Sequence, residues 1–326
     1  MRAYTARLVN NRIQIEPQEA PLPRPGPQQL LVRVRAAGMN RGELLALRKQ
    51  PAGTSTILGI EAAGEIVEAG TGSQPFQAGD RVMGRCRAAF ADYALLDMRD
   101  AMIVPERLSW IQAAAIPIAF MVVYDMLIDQ GRLGKAQWLL ITGVSSGAGV
   151  AALQLAKALG AHVIGTSGSS EKLADLQRLG LDVGLPTRHP DFYDAVMTAT
   201  QGQGVNLVVN IAGGSVFAEC IRCLAFEGRL ATIGYMDGVL EGRLDLAALH
   251  ARRLSVFGVS SKGYGPEQRQ RIVQGVIDHV LPRLADGRLV PVIDRVFSFD
   301  ELAAGLARME SNAQSGKLIV SREAAA

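Results

Sequence analysis

Between residues 138 and 260 the apolar positions come in short runs, most of them followed by a longer stretch with helical spacing. The runs WLLIT (138–142), HVIGT (162–166), LVVNI (207–211), RLATIG (229–234) and LSVFGV (254–259) have strand length. Helical stretches at 147–159, 170–179, 190–200 and 215–225 separate most of them. That alternation predicts an α/β class, with a parallel sheet and right-handed crossovers. Residues 1–100 read differently. LLVRVRAAG (30–38), GEIVEAG (64–70), DRVMG (80–84) and DYALL (92–96) are short β runs broken by Gly and Pro, and PLPRPGP (21–27) is a surface loop. An Ala-rich stretch, IQAAAIPIAFMVVYDML, predicts helix from about residue 112 and leads into the alternating region. After residue 260 the pattern predicts a long helix (266–286), a strand VIDRVFSF (292–299), a helix (300–309) and a closing strand KLIVS (317–321). The tail reads as a return to the first region.

Composition narrows the class. A chain of 326 residues is too long for one small core, so two domains are expected. Apolar residues make up 48% and charged residues 20%, as in a globular protein. No apolar run reaches the ~20 residues a membrane span needs. The opening MRAYTARLVNN carries no signal-peptide core, and a cytoplasmic location is expected. The net charge is +3, and the arginine-rich spots (Arg33/Arg35, Arg81/Arg85/Arg87, Arg252/Arg253) are short and scattered. That argues against nucleic acid as the main partner. Cys86, Cys220 and Cys223 are too few for a disulfide framework. Cys220 and Cys223 form a C-x-x-C within a predicted helix, where one shared face points to packing rather than redox or metal chemistry.

The chemistry concentrates where the run at 138–142 ends. GVSSGAG (143–149) spaces Gly143, Ser146 and Gly149 three apart, with Gly147 between them. A strand precedes and a helix follows, so backbone N–H groups of Ser145, Ser146, Gly147 and Ala148 can approach a ligand without obstruction. Exposed N–H groups at a helix start suit a pyrophosphate. The pattern departs from G-x-G-x-x-G, because Val144 and Ser146 stand at its first two glycines. The alternative is a turn of small residues that serves close packing alone. At the end of the next strand, GTSGSSEKLADL supplies the hydroxyls of Thr166, Ser167, Ser169 and Ser170 and the charge of Lys172. An NAD site wants an acid there for the ribose hydroxyls, and an NADP site wants positive charge. Glu171 comes late and adjoins the lysine, so NADPH is the expected cofactor. Ser170 could also simply cap the helix that follows.

Taken in order, these motifs resemble the medium-chain dehydrogenase/reductase superfamily, and its zinc-independent quinone oxidoreductase branch most. GIEAAGEIVEAG (59–70) resembles the family's G-x-E-x-x-G-x-V signature. NRGELLALR (40–48) resembles its N-x-x-D segment, with Glu43 at the acidic position, and FADYALL (90–96) the segment closing the catalytic barrel. AGVAALQLAKALGAHVIGT, GVNLVVNIAGG (204–214), GRLATIGY (228–235) and SGKLIVS (315–321) match later elements. The resemblance implies a doubly wound Rossmann sheet plus a GroES-like β-barrel catalytic domain. The expected boundaries are 1–118 for the catalytic domain, completed by 261–326, and 119–260 for the NADP-binding domain.

The resemblance also implies roles. Zinc-dependent members have Cys where Asn40 stands and His where Ile60 stands, so no metal is expected. Asn40 is implied near the nicotinamide, its amide bonding the ribose or the substrate carbonyl, or else only fixing a loop. Glu43 and Glu61 order the site through hydrogen bonds. Tyr124 opens the cofactor domain, with Val122 where the family often has Thr. Pro186 replaces a Tyr that contacts the phosphate end in many relatives, and Arg188 is either its electrostatic substitute or a surface arginine. Asn210, Ala212, Gly234, Val259 and Ser260 lie at strand ends along the implied cofactor path. LSVFGV is the expected edge strand, which in the family pairs across a two-fold axis to give a homodimer. The expected function is metal-free hydride transfer from NADPH to a quinone. The alternatives are an enone or 2-alkenal (enoyl) reductase, or a non-enzymatic NADPH-binding regulatory protein.

Overall fold

The computed structural model describes residues 1–9, 12–51 and 54–323. Up to the first crossover the elements are strands β1 (Arg2–Val9), β2 (Arg12–Glu19) and β3 (Gln29–Gly38), helix α1 (Arg41–Arg48), strands β4 (Thr56–Ile57), β5 (Glu61–Ala69), β6 (Arg81–Arg87) and β7 (Tyr93–Ile103), and helices α2 (Trp110–Ala114) and α3 (Pro117–Tyr124). Then come β8 (Trp138–Thr142), α4 (Gly147–Ala158), β9 (His162–Thr166), α5 (Ser170–Gln177), β10 (Val183–Leu185), α6 (Tyr193–Ala199), β11 (Val205–Asn210), α7 (Phe217–Cys223), β12 (Leu224–Thr232), α8 (Leu246–Ala251) and β13 (Ser255–Gly258). The chain finishes with α9 (Pro266–His279), α10 (Leu281–Ala285), β14 (Ile293–Ser298), α11 (Leu302–Glu310) and β15 (Lys317–Ser321).

These elements form two compact units, Met1–Met121 with Gly265–Ala326, and Val122–Tyr264. In the first, one sheet runs β14-β15-β3-β5-β6-β7, and β3 also pairs with β7, which closes β3, β5, β6 and β7 into a barrel. β15 pairs antiparallel with β3, Ile319 opposite Gly38, so the end of the chain is built into the barrel wall. Closure needs strands to pass at short range. A Cβ on Gly64 would lie 2.0 Å from the Arg33 carbonyl oxygen, so no larger residue fits there.

The second unit is a six-stranded parallel sheet in the order β10-β9-β8-β11-β12-β13. Leu139, Leu140 and Ile141 of β8 are fully buried, as a parallel strand covered on both faces requires. The order reverses between β8 and β11, and such a switch point opens a crevice at the strands' C-terminal ends.

Several expected elements are shorter or divided. The helix expected over 266–286 breaks at Val280 and restarts as α10, because Pro282 has no N–H and its ring clashes with the carbonyl four residues back. The Ala-rich segment is also not one helix. It divides at Pro117 into α2 and α3, and continues as a π-helix over Asp125–Asp129. DYALL is the start of an eleven-residue strand reaching Ile103. The helix expected over 190–200 starts only at Tyr193, after Pro190.

Candidate active site

The turn at 143–149 is built as its spacing suggested. Gly143 has φ +70°, a conformation that favours glycine. Ser146 caps α4, its Oγ accepting from Gly149 N at 3.1 Å. A Cβ on Gly149 would lie 2.6 Å from the Val144 carbonyl, so that glycine serves helix-on-strand packing. The N–H groups of Gly147 and Ala148, in the first turn, have no intrahelical acceptor. Residues 145–148 are half-buried, while Val144 and Gly149 on either side are buried.

The end of β9 is tied to this turn. Thr166 accepts from Gly143 N through Oγ1 at 3.3 Å and from Val144 N through its carbonyl at 3.0 Å. The Ser145 and Ser167 hydroxyls lie 3.2 Å apart. Ser169, not Ser170, caps α5 by accepting from Lys172 N at 3.3 Å. Lys172 is half-buried on the first turn of α5. Arg188 is exposed, and its guanidinium covers Gly168, where an added Cβ would come within 1.9 Å of Nε. Two cationic side chains therefore stand on the segments that follow β9, and the acid next to Lys172, Glu171, is exposed.

At the switch point Thr142, which the sequence gives no reason to single out, joins Asn210. Thr142 Oγ1 donates to Asn210 Oδ1 at 3.0 Å and accepts from Ile211 N and Ala212 N at 3.0 and 3.2 Å. Asn210 Nδ2 donates to the Gly213 carbonyl at 2.9 Å, and its Oδ1 accepts from Gly213 N at 3.1 Å. The Asn210 amide thus shapes the 211–213 loop. Gly234 approaches the same loop, since a Cβ there would lie 3.1 Å from the Ile211 carbonyl. Val259 is buried and its N–H bonds the Thr232 carbonyl at 3.0 Å, while Ser260 is exposed. Tyr124 is buried at the end of α3. Its neighbour Asp125 accepts from Gln130 at 2.9 Å and from the Tyr264 hydroxyl.

In the first unit, Asn40 and Glu43 belong to a buried polar cluster. Asn40 N donates to Glu43 Oε2 at 3.1 Å, the reciprocal half of a capping box on α1. Glu43 Oε1 accepts from Ile60 N at 2.9 Å. Burial pushes the Glu43 carboxyl up to about 8, although these N–H donors and the Lys317 charge pull the other way. Glu61 is fully buried. Its Oε1 accepts from Asn40 Nδ2 at 2.8 Å and lies 2.5 Å from Lys317 Nζ, and its Oε2 accepts from Ile118 N at 2.8 Å, at the start of α3. Lys317 also donates to Asn40 Oδ1 at 2.8 Å. Sequence reasoning missed Lys317 because KLIVS reads simply as a strand. The only signal was a lysine opening an otherwise apolar run.

Residues 147–279 match the family model of zinc-binding dehydrogenases, and residues 26–106 match that of the alcohol dehydrogenase GroES-like domain. The chain belongs to the medium-chain dehydrogenase/reductase superfamily. Within it, a quinone oxidoreductase-like protein 2 homolog of Nematostella vectensis is 27% identical over 303 residues, which cover 90% of this chain and 82% of that protein. A phenolphthiocerol/phthiocerol polyketide synthase of Mycobacterium tuberculosis is 30% identical over 302 residues, 91% of this chain but 14% of that much longer protein. A solved NAD-dependent alcohol dehydrogenase has a TM-score of 0.85 at 28% identity, covering 99% of this chain and 100% of that one.

As a medium-chain dehydrogenase/reductase of the quinone oxidoreductase-like branch, the chain has an oxidoreductase fold that takes a nicotinamide cofactor. The barrel is the GroES-like domain and the parallel sheet the Rossmann domain. The α4 turn, whose first two N–H groups have no intrahelical acceptor, fits a pyrophosphate. The donor set at Asn40 does not fit zinc. Ile60 offers no ligand, and the Asn40 and Glu61 oxygens already face an ammonium that would repel a second cation. Among the described residues no three His, Cys, Asp or Glu side chains are grouped to hold a metal. Cys220 and Cys223 are packed in the core under β11 and β12, and burial pushes both thiols up.

Proposed function

We propose that the chain is a metal-free reductase that moves a hydride from NADPH to a quinone. The observation that carries this reading is the ammonium of Lys317 on the Asn40 and Glu61 oxygens, where a catalytic metal would need free donors. Without a Lewis acid to hold an alcoholate, the acceptor must be activated by its own conjugation, as a quinone is. When bound, NADPH supplies the hydride, and the protein's task is to orient and desolvate the reactants. In this reading Gly143, Ser145, Ser146, Gly147, Ala148 and Gly149 hold the pyrophosphate. Thr166, Ser167, Ser169, Lys172 and Arg188 receive the 2′-phosphate end. The 210–212 segment, Gly234, Val259 and Ser260 border the rest, and Asn40, Glu43 and Tyr124 serve the reacting end.

The choice of NADPH over NADH rests on Lys172 and Arg188 beyond the end of β9. A cytoplasmic homodimer completes the proposal. β13 is an edge strand, and Phe226, Leu240, Leu246 and Val256 are exposed on it or on neighbouring segments, at 63%, 75%, 69% and 40%. A second copy would cover them. Sedimentation as a monomer at micromolar concentration would remove this part.

The test is consumption of reduced nicotinamide with 1,4-benzoquinone, NADPH and NADH in parallel, with and without chelator. Fast, chelator-resistant use of NADPH is expected. Loss of activity on chelation would overturn the metal-free reading. A second reading, reduction of a conjugated enone or enoyl group, is favoured by the likeness to a stretch of a polyketide synthase. Consumption with enones but not quinones would establish it.

A further inference from the structure

The amide of Asn40 can be held in two orientations, and its partners decide which one. Lys317, 277 residues further along the chain, presents an ammonium to Oδ1 at 2.8 Å. Glu61 presents a carboxylate oxygen to Nδ2 at 2.8 Å, and the same oxygen lies 2.5 Å from Lys317 Nζ. The three groups close a ring. An ammonium only donates and a carboxylate only accepts. Turning the amide over would set NH₂ against NH₃⁺ and carbonyl against carboxylate, replacing two hydrogen bonds with two repulsions. The second hydrogen on Nδ2 points to the Gly38 carbonyl at 3.3 Å. Asn40 therefore has no donor left to offer. Its carbonyl oxygen is then the group left to meet a ligand, and the residue is only half-buried. Gly38 makes room for this arrangement, since a Cβ there would lie 2.3 Å from Glu61 Oε1.

We propose that Lys317 is a positioning residue of the reductase, which with Glu61 locks Asn40 as an acceptor-only side chain. A ligand group that meets Asn40 must then be a hydroxyl donor, such as the cofactor ribose, and not the carbonyl oxygen of the substrate. This inference rests on the proposed reading of Asn40 as a site residue. Lys317 acts through Asn40 and needs no contact with the ligand itself.

Three variants test it, with NADPH affinity read from the fluorescence of the bound reduced nicotinamide and KM values for NADPH and benzoquinone read separately. Lys317→Met frees the amide to turn, and Lys317→Arg keeps the positive donor. Because Lys317→Met strands a buried carboxylate, the double variant Lys317→Met/Glu61→Gln removes both charges and, with the new amide's carbonyl kept on Ile118 N, sets NH₂ against Asn40 Nδ2 so that the Asn40 amide turns. Thermal melting verifies that each variant is folded. We expect NADPH to bind about tenfold more weakly to the folded Met variants, the worth of one hydrogen bond. The quinone KM should stay within about twofold, and Lys317→Arg should restore most of the affinity. Unchanged NADPH affinity in the folded double variant would overturn the proposal. So would a raised quinone KM with cofactor affinity intact, which would make Asn40 a partner of the substrate. A wild-type protein that binds no reduced nicotinamide would instead overturn the underlying NADPH reading.

Discussion

At the α4 turn the second unit presents backbone, whereas at Asn40 the first unit presents side chains. The turn needs seven consecutive residues, and its shape depends on glycine: Gly143 has φ +70°, and a Cβ on Gly149 would lie 2.6 Å from the Val144 carbonyl. The cluster needs residues 40, 43, 61 and 317, and its selectivity lies in charge: one ammonium, one paired carboxylate and one carboxyl held at about 8 by burial. A backbone site tolerates a change of charge and fails on bulk. A buried charged site tolerates little of either.

The contrast sets an order of expected effects. Lys317→Met should be the most damaging for stability, because breaking a buried pair by removing one partner costs about 3–5 kcal/mol. Chemical denaturation reads it, and a loss below about 1 kcal/mol would mean that water reaches Glu61. Gly147→Val should cost binding rather than stability. Under the proposed reading, blocking the two N–H groups that would meet the phosphate loses about 3 kcal/mol, roughly a hundredfold in NADPH affinity, with the melting temperature nearly unchanged. Unchanged affinity would move the phosphate site away from this turn.

Glu43 gives a pH test. Its carboxyl titrates near 4.5 when unfolded and about 8 when folded, so between those values the native state holds the extra proton. Stability should fall as pH rises through that window, by at most about 1.4 kcal/mol per unit from this group, and level off above it. Glu43→Gln should flatten the slope, and a slope that persists in the variant would assign it to another group. Lys172→Glu should be milder, weakening NADPH roughly tenfold against NADH, since the site is half open to water. Equal loss of both cofactors would remove the 2′-phosphate assignment. Smallest in stability is Ser169→Ala, a lost helix cap of about 1 kcal/mol, read by chemical denaturation.

How much was legible follows from the same contrast. β8, β9 and β15 match their expected limits to the residue, because apolar runs between small residues are local signals. The unit boundaries fall at Met121/Val122 and Tyr264/Gly265, against 118/119 and 260/261 expected. Helices were overextended wherever a proline intervened, as at Pro117 and Pro282. At the site, Ser146 and Gly149 could be read from spacing alone. Thr142 could not, because its partner lies 68 residues away and a threonine ending a strand looks ordinary. Asn40 could be placed only by resemblance, and its occupation by Glu61 and Lys317 was invisible, since no spacing rule links residue 40 to residue 317. Ser170 looked like the cap because it precedes Glu171 and Lys172, but the helix starts one residue earlier.

The strand that carries Lys317 also sets a timetable. On the ribosome, residues 122–264 can emerge and close their sheet as one continuous stretch. The barrel cannot follow the same course, because Glu61 is synthesised more than two hundred and fifty residues before the ammonium that neutralises it. Until β15 emerges beside β3, the nascent first unit carries an unpaired carboxylate where its interior will be. A chain that stops just short of residue 317 would therefore lose far more than one short strand.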